Sequence, residues 1–356
     1  MSIFISIVAF FLIIFLAVLV HETGHYVTAK VSGVKVEEFG IGLPPRIWGF
    51  HKGETLYSIN WIPLGGFCRM AGEVDPDVPR SLAGKSVKVR LLVLSAGSIF
   101  MLLFPLFLLP ASYMTPIPRP AEDGGVYIGS VDLGSPAWDA SLQSGDIILR
   151  IDGQDIYTLE DVHKAVEAKE GSEVTLVIAR AGSEFEVNLV PRTEDEIPEG
   201  QGPLGIQMSL LMETRIYPPW EAIPQGFRDY GEIYLNVGSA FGMLFRGDVP
   251  LKDAIVGPVG IAHITRDVAS TGTANMIRLT VIILALMGIF NLLPIPGLDG
   301  GHLVFVVIEG IRRGKRISPR RESLVHFVGF ALLIGLVVAI TYNDILRLVE
   351  GKGFTP

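Results

Sequence analysis

The chain is poor in cysteine and in charge, and both shortages narrow what it does. Its 356 residues include one cysteine, Cys68, which excludes an intrachain disulfide framework and a cysteine-rich metal cage. Only 19% of the residues are charged, whereas 49% are hydrophobic. That balance is too apolar for an ordinary soluble enzyme, so we expect a polytopic membrane protein.

An excess of basic charge is also missing. The formal net charge is -8, and residues 115–277 carry 25 acidic against 11 basic side chains. A nucleic acid is a polyanion, so this composition argues against it as a partner.

What the chain has instead is apolar runs, at residues 3–20, 91–114, 277–293 and 324–341. Each is long enough to cross a hydrocarbon core of about 30 Å, so we expect about four transmembrane helices, a bilayer environment and both termini on one side. The first run lacks a basic flank and a small-residue cleavage site, and we expect it to be retained as a span.

Basic residues in the short loops predict the orientation. Nine Lys and Arg lie in residues 30–90, and six lie in residues 312–321. The positive-inside rule places both loops in the cytoplasm, with the termini and the acidic segment outside. We therefore expect a multi-pass protein of the cytoplasmic (inner) membrane.

The first apolar run continues without a break into the sequence HETGH. His21 and His25 are four residues apart, so a helix projects both from one face, as two zinc ligands require. Glu22 beside them is a candidate general base. If Lys30 marks the membrane edge, His25 lies about 8 Å and His21 about 13 Å deeper, inside the bilayer near its cytoplasmic face.

The third apolar run ends in NLLPIPGLDGGH, residues 291–302. Its prolines and glycine predict that the helix breaks here, just before Asp299. A carboxylate at that depth needs a partner, and a metal held by His21 and His25 would supply one. Two imidazoles and one carboxylate leave the fourth position of a single zinc ion to water, which is the arrangement of a catalytic site.

Residues 34–72 have the alternation and the turn glycines of β structure. Tyr57, Ile59 and Trp61 alternate with polar residues, which predicts a half-buried strand. We expect a membrane-associated hairpin that dips back to the metal site, with this strand binding an unwound substrate by edge pairing. The alternative is a cytoplasmic loop that does not contact the chemistry.

Between the second and third runs lies a segment of different character. Residues 122–213 read as an α+β unit, with a helix over 159–169 and strands at VTLVIAR and FEVNLV, after a stiff linker with prolines at 116, 118 and 120. SGDIILRIDGQDI resembles a PDZ domain of the bacterial protease type, and residues 204–206 resemble the part that receives a peptide end. Residues 220–246 then show helical periodicity, which predicts an amphipathic helix on the outer surface or one packed onto the spans.

Four motifs together resemble the site-2 protease family of intramembrane zinc metalloproteases, in the bacterial branch with an external PDZ domain. They are HETGH, PLGGF, the PDZ-like segment and NLLPIPGLDGG. The resemblance implies a polytopic helical fold with an extracytoplasmic α+β domain inserted into it. The segments would be 1–114 (two spans, HExxH and β segment), 122–213 (PDZ), 218–250 (amphipathic helix) and 270–346 (two spans and LDG).

The resemblance also implies site residues, an activity and partners. His21, His25 and Asp299 match the zinc ligands, Glu22 matches the catalytic acid/base, and Asn291, Pro294 and Pro296 match positions that handle the substrate strand. The substrates would be single-pass membrane proteins already trimmed by another protease, such as anti-sigma factors or remnant signal peptides. The PDZ domain would either bind a peptide end or exclude untrimmed substrates.

One motif departs from the family pattern, and two rival functions stay open. Where relatives show A-G-P-x-x-N, this chain has Ser98 and Met101, so no role of that asparagine can be transferred. His302 directly follows LDGG and could support the metal site, although a packing role is the expectation. The other remaining histidines are expected to be structural or solvated. The rivals are a zinc hydrolase of peptides at the cytoplasmic surface and a non-catalytic PDZ receptor, which would predict a damaged HExxH or LDG motif.

Overall fold

The computed structural model describes residues 3–120, 125–198, 200–248, 255–351 and 354. Two compact units are present. The helical unit comprises residues 1–115 and 217–356, and the inserted unit comprises residues 116–216.

The helical unit begins with two long helices joined by a β-hairpin. The first helix runs through HETGH without interruption, and the second is divided at Phe104, where Pro105 lacks the N–H that a continuous helix would use. The elements are α1 (Ile3–Val31), β1 (Val36–Lys52), β2 (Thr55–Met70), α2 (Val87–Leu103) and α3 (Pro105–Tyr113).

Both strands of the hairpin bend, so that each strand contributes two segments to the sheet. We call these four side-by-side segments lanes. Residues 55–60 lie between residues 36–41 and 46–52, whereas residues 66–70 pair only with residues 36–41. Gly42, with φ at +80°, lies at the bend of β1, in a backbone region that favours glycine.

The lane order corrects one sequence prediction. Tyr57 pairs with Phe39 on one side and Phe50 on the other, and Ile59 is also paired on both sides. The prediction of edge pairing through this strand is therefore wrong, because its backbone groups already bond to neighbouring lanes. Among the described residues, the two outer lanes, 46–52 and 66–70, each have a strand on one side only.

The turn of the hairpin is tied to the end of α1. Hydrogen bonds from Arg80 and Lys30 lower the pKa of the exposed Glu54 carboxyl to about 2. Arg80 Nη1 lies 2.5 Å from Glu54 Oε2, and Lys30 Nζ lies 2.8 Å from Glu54 Oε1. The hairpin thus has a polar anchor at the end of the helix that carries HETGH.

The inserted unit is the predicted α+β unit, built on a sheet in the order β8-β7-β5-β4-β9, with β6 beside β5. Its core includes the fully buried Ile128, Ile148, Leu176 and Ile178. Its elements are β3 (Ile117–Pro120), β4 (Val126–Val131), α4 (Pro136–Asp139), β5 (Ile147–Ile151), β6 (Gln154–Asp155), α5 (Leu159–Glu167), β7 (Val174–Arg180), β8 (Ser183–Leu189), a 3₁₀ turn (Glu194–Glu196), β9 (Ile206–Leu210) and β10 (Met212–Arg215).

The predicted proline linker is instead a strand. β3 pairs antiparallel with β10, and Arg119 bonds Glu213 at 2.6 Å. The prolines are compatible with pairing because a strand with one neighbour leaves half of its N–H positions unused. The predicted domain start at residue 122 lies outside the described residues.

Within the described residues, the helical unit contains five further helices. They are α6 (Pro219–Arg246), α7 (Pro258–Ala269), α8 (Thr273–Leu292), α9 (Asp299–Ile311) and α10 (Pro319–Val349). Among the described residues, four helical stretches are long and apolar enough to cross a membrane, in agreement with the predicted runs. They are Ser6–Val31, Val87–Tyr113, Thr273–Leu292 and Pro319–Val349.

Helix α6 packs on other helices, one of the two alternatives that the sequence left open. A methyl group at Gly226 would overlap Pro110 of α3. Asp229 accepts hydrogen bonds from Tyr113 at 2.7 Å and from Arg278 at 2.9 Å. These contacts attach α6 to α3 and α8; residues 249–250 of the predicted amphipathic segment lie outside the described part.

Candidate active site

Two glycines let α1 and α2 approach closely at the HETGH motif. A methyl group at Gly24 would overlap the carbonyl of Ala96, and one at Gly97 would overlap Nε2 of His25. The same methyl group would come within 2.7 Å of the His21 ring. The imidazoles therefore lie directly on the backbone of α2, which restricts where they can point.

The backbone of α2 also determines the tautomer of His25. Nδ1 of His25 donates a hydrogen bond to the carbonyl of Val93 at 2.9 Å, in a buried setting. Because a neutral imidazole carries one proton, Nε2 then presents a lone pair. A carbonyl partner of this kind is the usual support of a metal-binding histidine.

The two histidines meet Asp299, 274 residues after His25 in the chain. Nε2 of His21 and Nε2 of His25 lie 3.1 Å apart, and they lie 3.1 Å and 3.2 Å from Oδ2 of Asp299. Donor atoms of a tetrahedral zinc site with ligand distances of about 2.0–2.1 Å lie about 3.3 Å apart. The donor set fits a zinc ion, and the predicted convergence is confirmed.

The loop before α9 places Asp299 at the start of that helix. α8 ends at Leu292, and methyl groups at Gly300 and Gly301 would collide with the carbonyls of Leu293 and Ile295. The two glycines of LDGG therefore allow the loop to fold onto its own helix. This fold-back brings the carboxylate to α1.

Glu22 lies between the three candidate zinc ligands and the hairpin. A methyl group at Gly66 would lie 3.3 Å from Cγ of Glu22 and 2.9 Å from Val18. Glu22 lines the same cavity as the three ligands, a space of about 550 Å³. The hairpin does return to the metal site, as the sequence predicted, and the alternative of a distant loop is wrong.

The open lane 66–70 forms one wall of this cavity. It includes Cys68, and burial raises the pKa of its thiol well above the ordinary range. A thiol that stays protonated is a poor metal ligand.

The predicted substrate-binding residues lie elsewhere. Neither Asn291, Pro294 and Pro296 nor Tyr57, Ile59 and Trp61 line the described cavity. Pro296 is covered by α10 at Gly329, where a methyl group would overlap its carbonyl. Their contact with substrate stays a prediction.

Met101 of the altered second-span motif has a packing explanation, whereas nothing in the structure explains Ser98. Ser98 and Met101 are completely buried, and Met101 packs with Ala17, Val20 and Leu284. An apolar side chain suits that environment, whereas an asparagine would need hydrogen-bond partners there.

A second cluster of histidines and a carboxylate, which was not predicted as a group, lies close to the first. His302 lines the cavity, its ring stacks on His326 at 3.6 Å, and its Nδ1 lies 3.6 Å from Oε1 of Glu322. The spacing of His302, one helical turn after Asp299, was the available signal. His326 could not be linked to it from the sequence because it lies on another helix.

A buried ion pair joins the helices beside the cavity. Arg90 on α2 bonds Glu309 on α9 at 2.7 Å, and Arg316 bonds the same carboxylate at 3.1 Å. Burial alone would raise the pKa of Glu309, but these hydrogen bonds outweigh it and hold the pKa below its ordinary value. The helix that starts with Asp299 is thereby anchored to α2.

Two imidazoles, a carboxylate and an adjacent glutamate in a cavity define the class of zinc hydrolases. The chain matches the model of peptidase family M50 over residues 9–336. A relative from Clostridium perfringens is 33% identical, covering 92% of this chain and 95% of the relative. Zinc metalloprotease RasP of Oceanobacillus iheyensis is 30% identical, covering 96% of this chain and 99% of RasP. The chain belongs to peptidase family M50, the family of site-2 proteases, and is a zinc metalloprotease.

Solved structures resemble only a small part of the chain. A PDZ domain of an SdrC-like protein from Listeria monocytogenes is 25% identical and covers 25% of this chain and 92% of its own, with a TM-score of 0.22. A solution structure from Geobacillus thermodenitrificans is 35% identical and covers 24% of this chain and 92% of its own, with a TM-score of 0.20. TM-scores this low support no conclusion about fold.

Proposed function

We propose that this metalloprotease cleaves peptide bonds within or near the transmembrane segments of single-pass membrane proteins. The proposal includes a role in regulated intramembrane proteolysis, on substrates of the anti-sigma-factor or signal-peptide-remnant kind. The observation that carries it is the convergence of His21, His25 and Asp299 beside Glu22, on a helix that is itself long and apolar enough to span a membrane.

The residues around the metal site have separable roles. His21, His25 and Asp299 would hold one zinc ion, which would supply Lewis-acid chemistry: a lower pKa for the attacking water and polarisation of the substrate carbonyl. Glu22 would accept a proton from the attacking water and donate it to the leaving amine. Val93 holds the ring of His25 in the ligating tautomer through Nδ1.

The open lane of the hairpin is the proposed substrate platform. A helical substrate hides its carbonyls in its own hydrogen bonds, so it must unwind before cleavage. An unwound segment can pair with residues 66–70, which have no neighbouring strand on one side among the described strands and line the cavity with Glu22. The N–H of Met70 already donates to Oε1 of Glu73 at 3.0 Å, so the pairing would use the other backbone groups of this lane. This assignment replaces the one to residues 57–61.

Mass spectrometry of a cleaved transmembrane peptide tests the activity. Purified protein should cut the peptide within its apolar segment, and Glu22→Gln should retain zinc but show no turnover. Cuts only outside the apolar segment would instead support the hydrolase of cytoplasmic-surface peptides. No product from the zinc-loaded protein would support the non-catalytic receptor.

We also propose the orientation that the loop charges predict. The termini and the inserted unit lie outside the cytoplasm, and the zinc site lies near the cytoplasmic face. A cysteine introduced for Ser183, in the exposed β7–β8 turn, should react with an impermeant reagent on intact cells. One introduced for Gly314 should react only after the membrane is opened, and the reverse pattern would overturn the orientation.

The inserted unit is proposed as a PDZ gate for substrates that an upstream protease has trimmed. Deleting residues 122–213 distinguishes its two modes. If the unit excludes, the deletion should increase cleavage of untrimmed substrates; if it recruits, cleavage of trimmed substrates should decrease. An unchanged rate for both substrates would remove the unit from substrate selection.

A further inference from the structure

The inserted unit contains a groove lined by negatively charged side chains that form no ion pair with a described Lys or Arg. The groove, about 560 Å³ in volume, lies between α5 and the segment from Gly202 to Met208. Val162 and Val166 of α5 are buried beneath it. It has the shape and the apolar base that an extended peptide would use.

One side of the groove is an open sheet edge. β9 is the last strand in the order of the sheet and pairs only with β4 among the described strands. Ile206 and Met208 of β9 line the groove. An edge strand presents alternate unpaired N–H and C=O groups, so a further strand can add to it.

Three carboxylates line the same groove: Glu167, Glu170 and Glu194. None forms an ion pair within 4.0 Å with a described Lys or Arg, whereas Asp146, Glu184 and other acids of the unit are paired. The paired acids also include Asp152, Glu160 and Glu213. Among the residues that line the groove, His163 alone has a side chain that can become cationic.

In the loop at the end of the groove, one backbone N–H group already has a hydrogen-bond acceptor. The N–H of Gly205 donates to the carbonyl of Gly202 at 3.0 Å, so it is not available to a terminal carboxylate. The three carboxylates nearby also repel a peptide end that carries negative charge.

We infer that this groove binds an extended peptide segment that carries Lys or Arg side chains. β9 supplies main-chain pairing, and Glu167, Glu170 and Glu194 select for positive charge. The inference rests on the proposed function only in treating the inserted unit as a receiver of substrate segments. Each exposed carboxylate–cation pair contributes about two- to fivefold in affinity, so three contribute about ten- to a hundredfold.

Fluorescence anisotropy on the full chain with Glu22→Gln, which prevents cleavage, tests the inference. The probes are two labelled nine-residue peptides with alternating valines, one with three lysines and one with three glutamates, each with a capped C-terminus. The lysine peptide should bind at least tenfold more tightly at about 50 mM salt. The difference should shrink at about 500 mM salt, because salt screens exposed charges.

Two triple variants with the same change in net charge locate the effect. Glu167→Gln, Glu170→Gln and Glu194→Gln together should remove most of the preference for lysine. Asp155→Asn, Glu173→Gln and Glu186→Gln, which are exposed and outside the groove, should retain it. Circular dichroism checks that both variants are folded.

Several results would overturn the inference. They are equal binding of the two peptides, equal losses in the two triple variants, or affinity that requires a free C-terminal carboxylate. N-methylation of alternate amides in the lysine peptide should weaken binding; unchanged affinity would exclude pairing with β9. If the protein cleaves a transmembrane peptide but the groove does not select for charge, only this inference is rejected. If the groove selects for charge but the protein does not cleave the transmembrane peptide, only the proposed function is rejected.

Discussion

Among the described residues of the helical unit, two clusters each contain two histidines and one carboxylate, and only one of these two has the arrangement of a metal site. In the first, the rings of His21 and His25 meet at 77° with centroids 4.7 Å apart. In the second, the rings of His302 and His326 are stacked at 9° and 3.6 Å. Lone pairs lie in the ring plane, so stacked rings do not direct them at a common point. Residue types alone do not define a metal site.

The backbone partner of each cluster explains the difference further. Nδ1 of His25 faces the carbonyl of Val93, whereas Nδ1 of His326 accepts the N–H of Gly297 at 3.0 Å. Nε2 therefore has a lone pair in His25 and carries the proton in neutral His326. The first histidine is set to ligate, and the second holds the loop that precedes Asp299.

The largest expected effect comes from removing a ligand of the first cluster. His25→Ala should lose more than 100-fold in zinc affinity and abolish cleavage, because a coordinating nitrogen disappears. His302→Ala is the matched control in the second cluster and should retain one zinc ion per chain. Metal analysis measures both, and equal losses of zinc would remove the distinction between the clusters.

Gly97→Ala should damage the first cluster without changing a ligand. The added methyl group overlaps Nε2 of His25 and approaches His21, so zinc affinity should fall about 10- to 100-fold. Alanine favours helix over glycine by about 1 kcal/mol, so the helix itself should not be weakened. Gly310→Ala is the control, since its methyl group would lie 3.4 Å from Val87. Unchanged zinc affinity in Gly97→Ala would contradict the close packing of α1 on α2.

A smaller effect should separate the two nitrogens of His326. In His326→Asn the amide oxygen can occupy the Nδ1 position and accept the N–H of Gly297, whereas in His326→Gln it reaches the Nε2 position. Asn should keep kcat within about twofold of the parent, and Gln should lower kcat about tenfold with less change in KM. Equal kcat for the two variants would show that the hydrogen bond to Gly297 does not position Asp299.

The smallest effect on catalysis is expected from Glu309, whose partners are arginines rather than histidines. Its pKa is lowered in the folded protein, so its contribution to stability is present above the unfolded pKa, near 4.5. That contribution is lost as the pH falls through the lower folded value. Glu309→Gln should lower the unfolding temperature at pH 7 and flatten its decline below pH 4.5. Parallel curves for the two proteins would contradict this assignment.

Much of the fold and site could be predicted because it depends on local periodicity. Helix geometry alone places His21 and His25 on one face, and apolar length alone predicts the spans. Asp299 was predictable because a carboxylate beside broken helix in a membrane needs a partner. The pairing of the proline segment in β3 with β10 was not, since the two strands are far apart in the chain.

The sequence by itself determined the spans, the ligand types and the inserted unit, because each follows from a short stretch of residues. Only the tertiary structure decided that residues 66–70, rather than 57–61, form an outer lane of the hairpin that lines the cavity. It also decided which histidine cluster presents lone pairs, through Val93 in one case and Gly297 in the other. The physical reason is that strand edges and tautomers are set by backbone partners distant in sequence, which no local pattern contains.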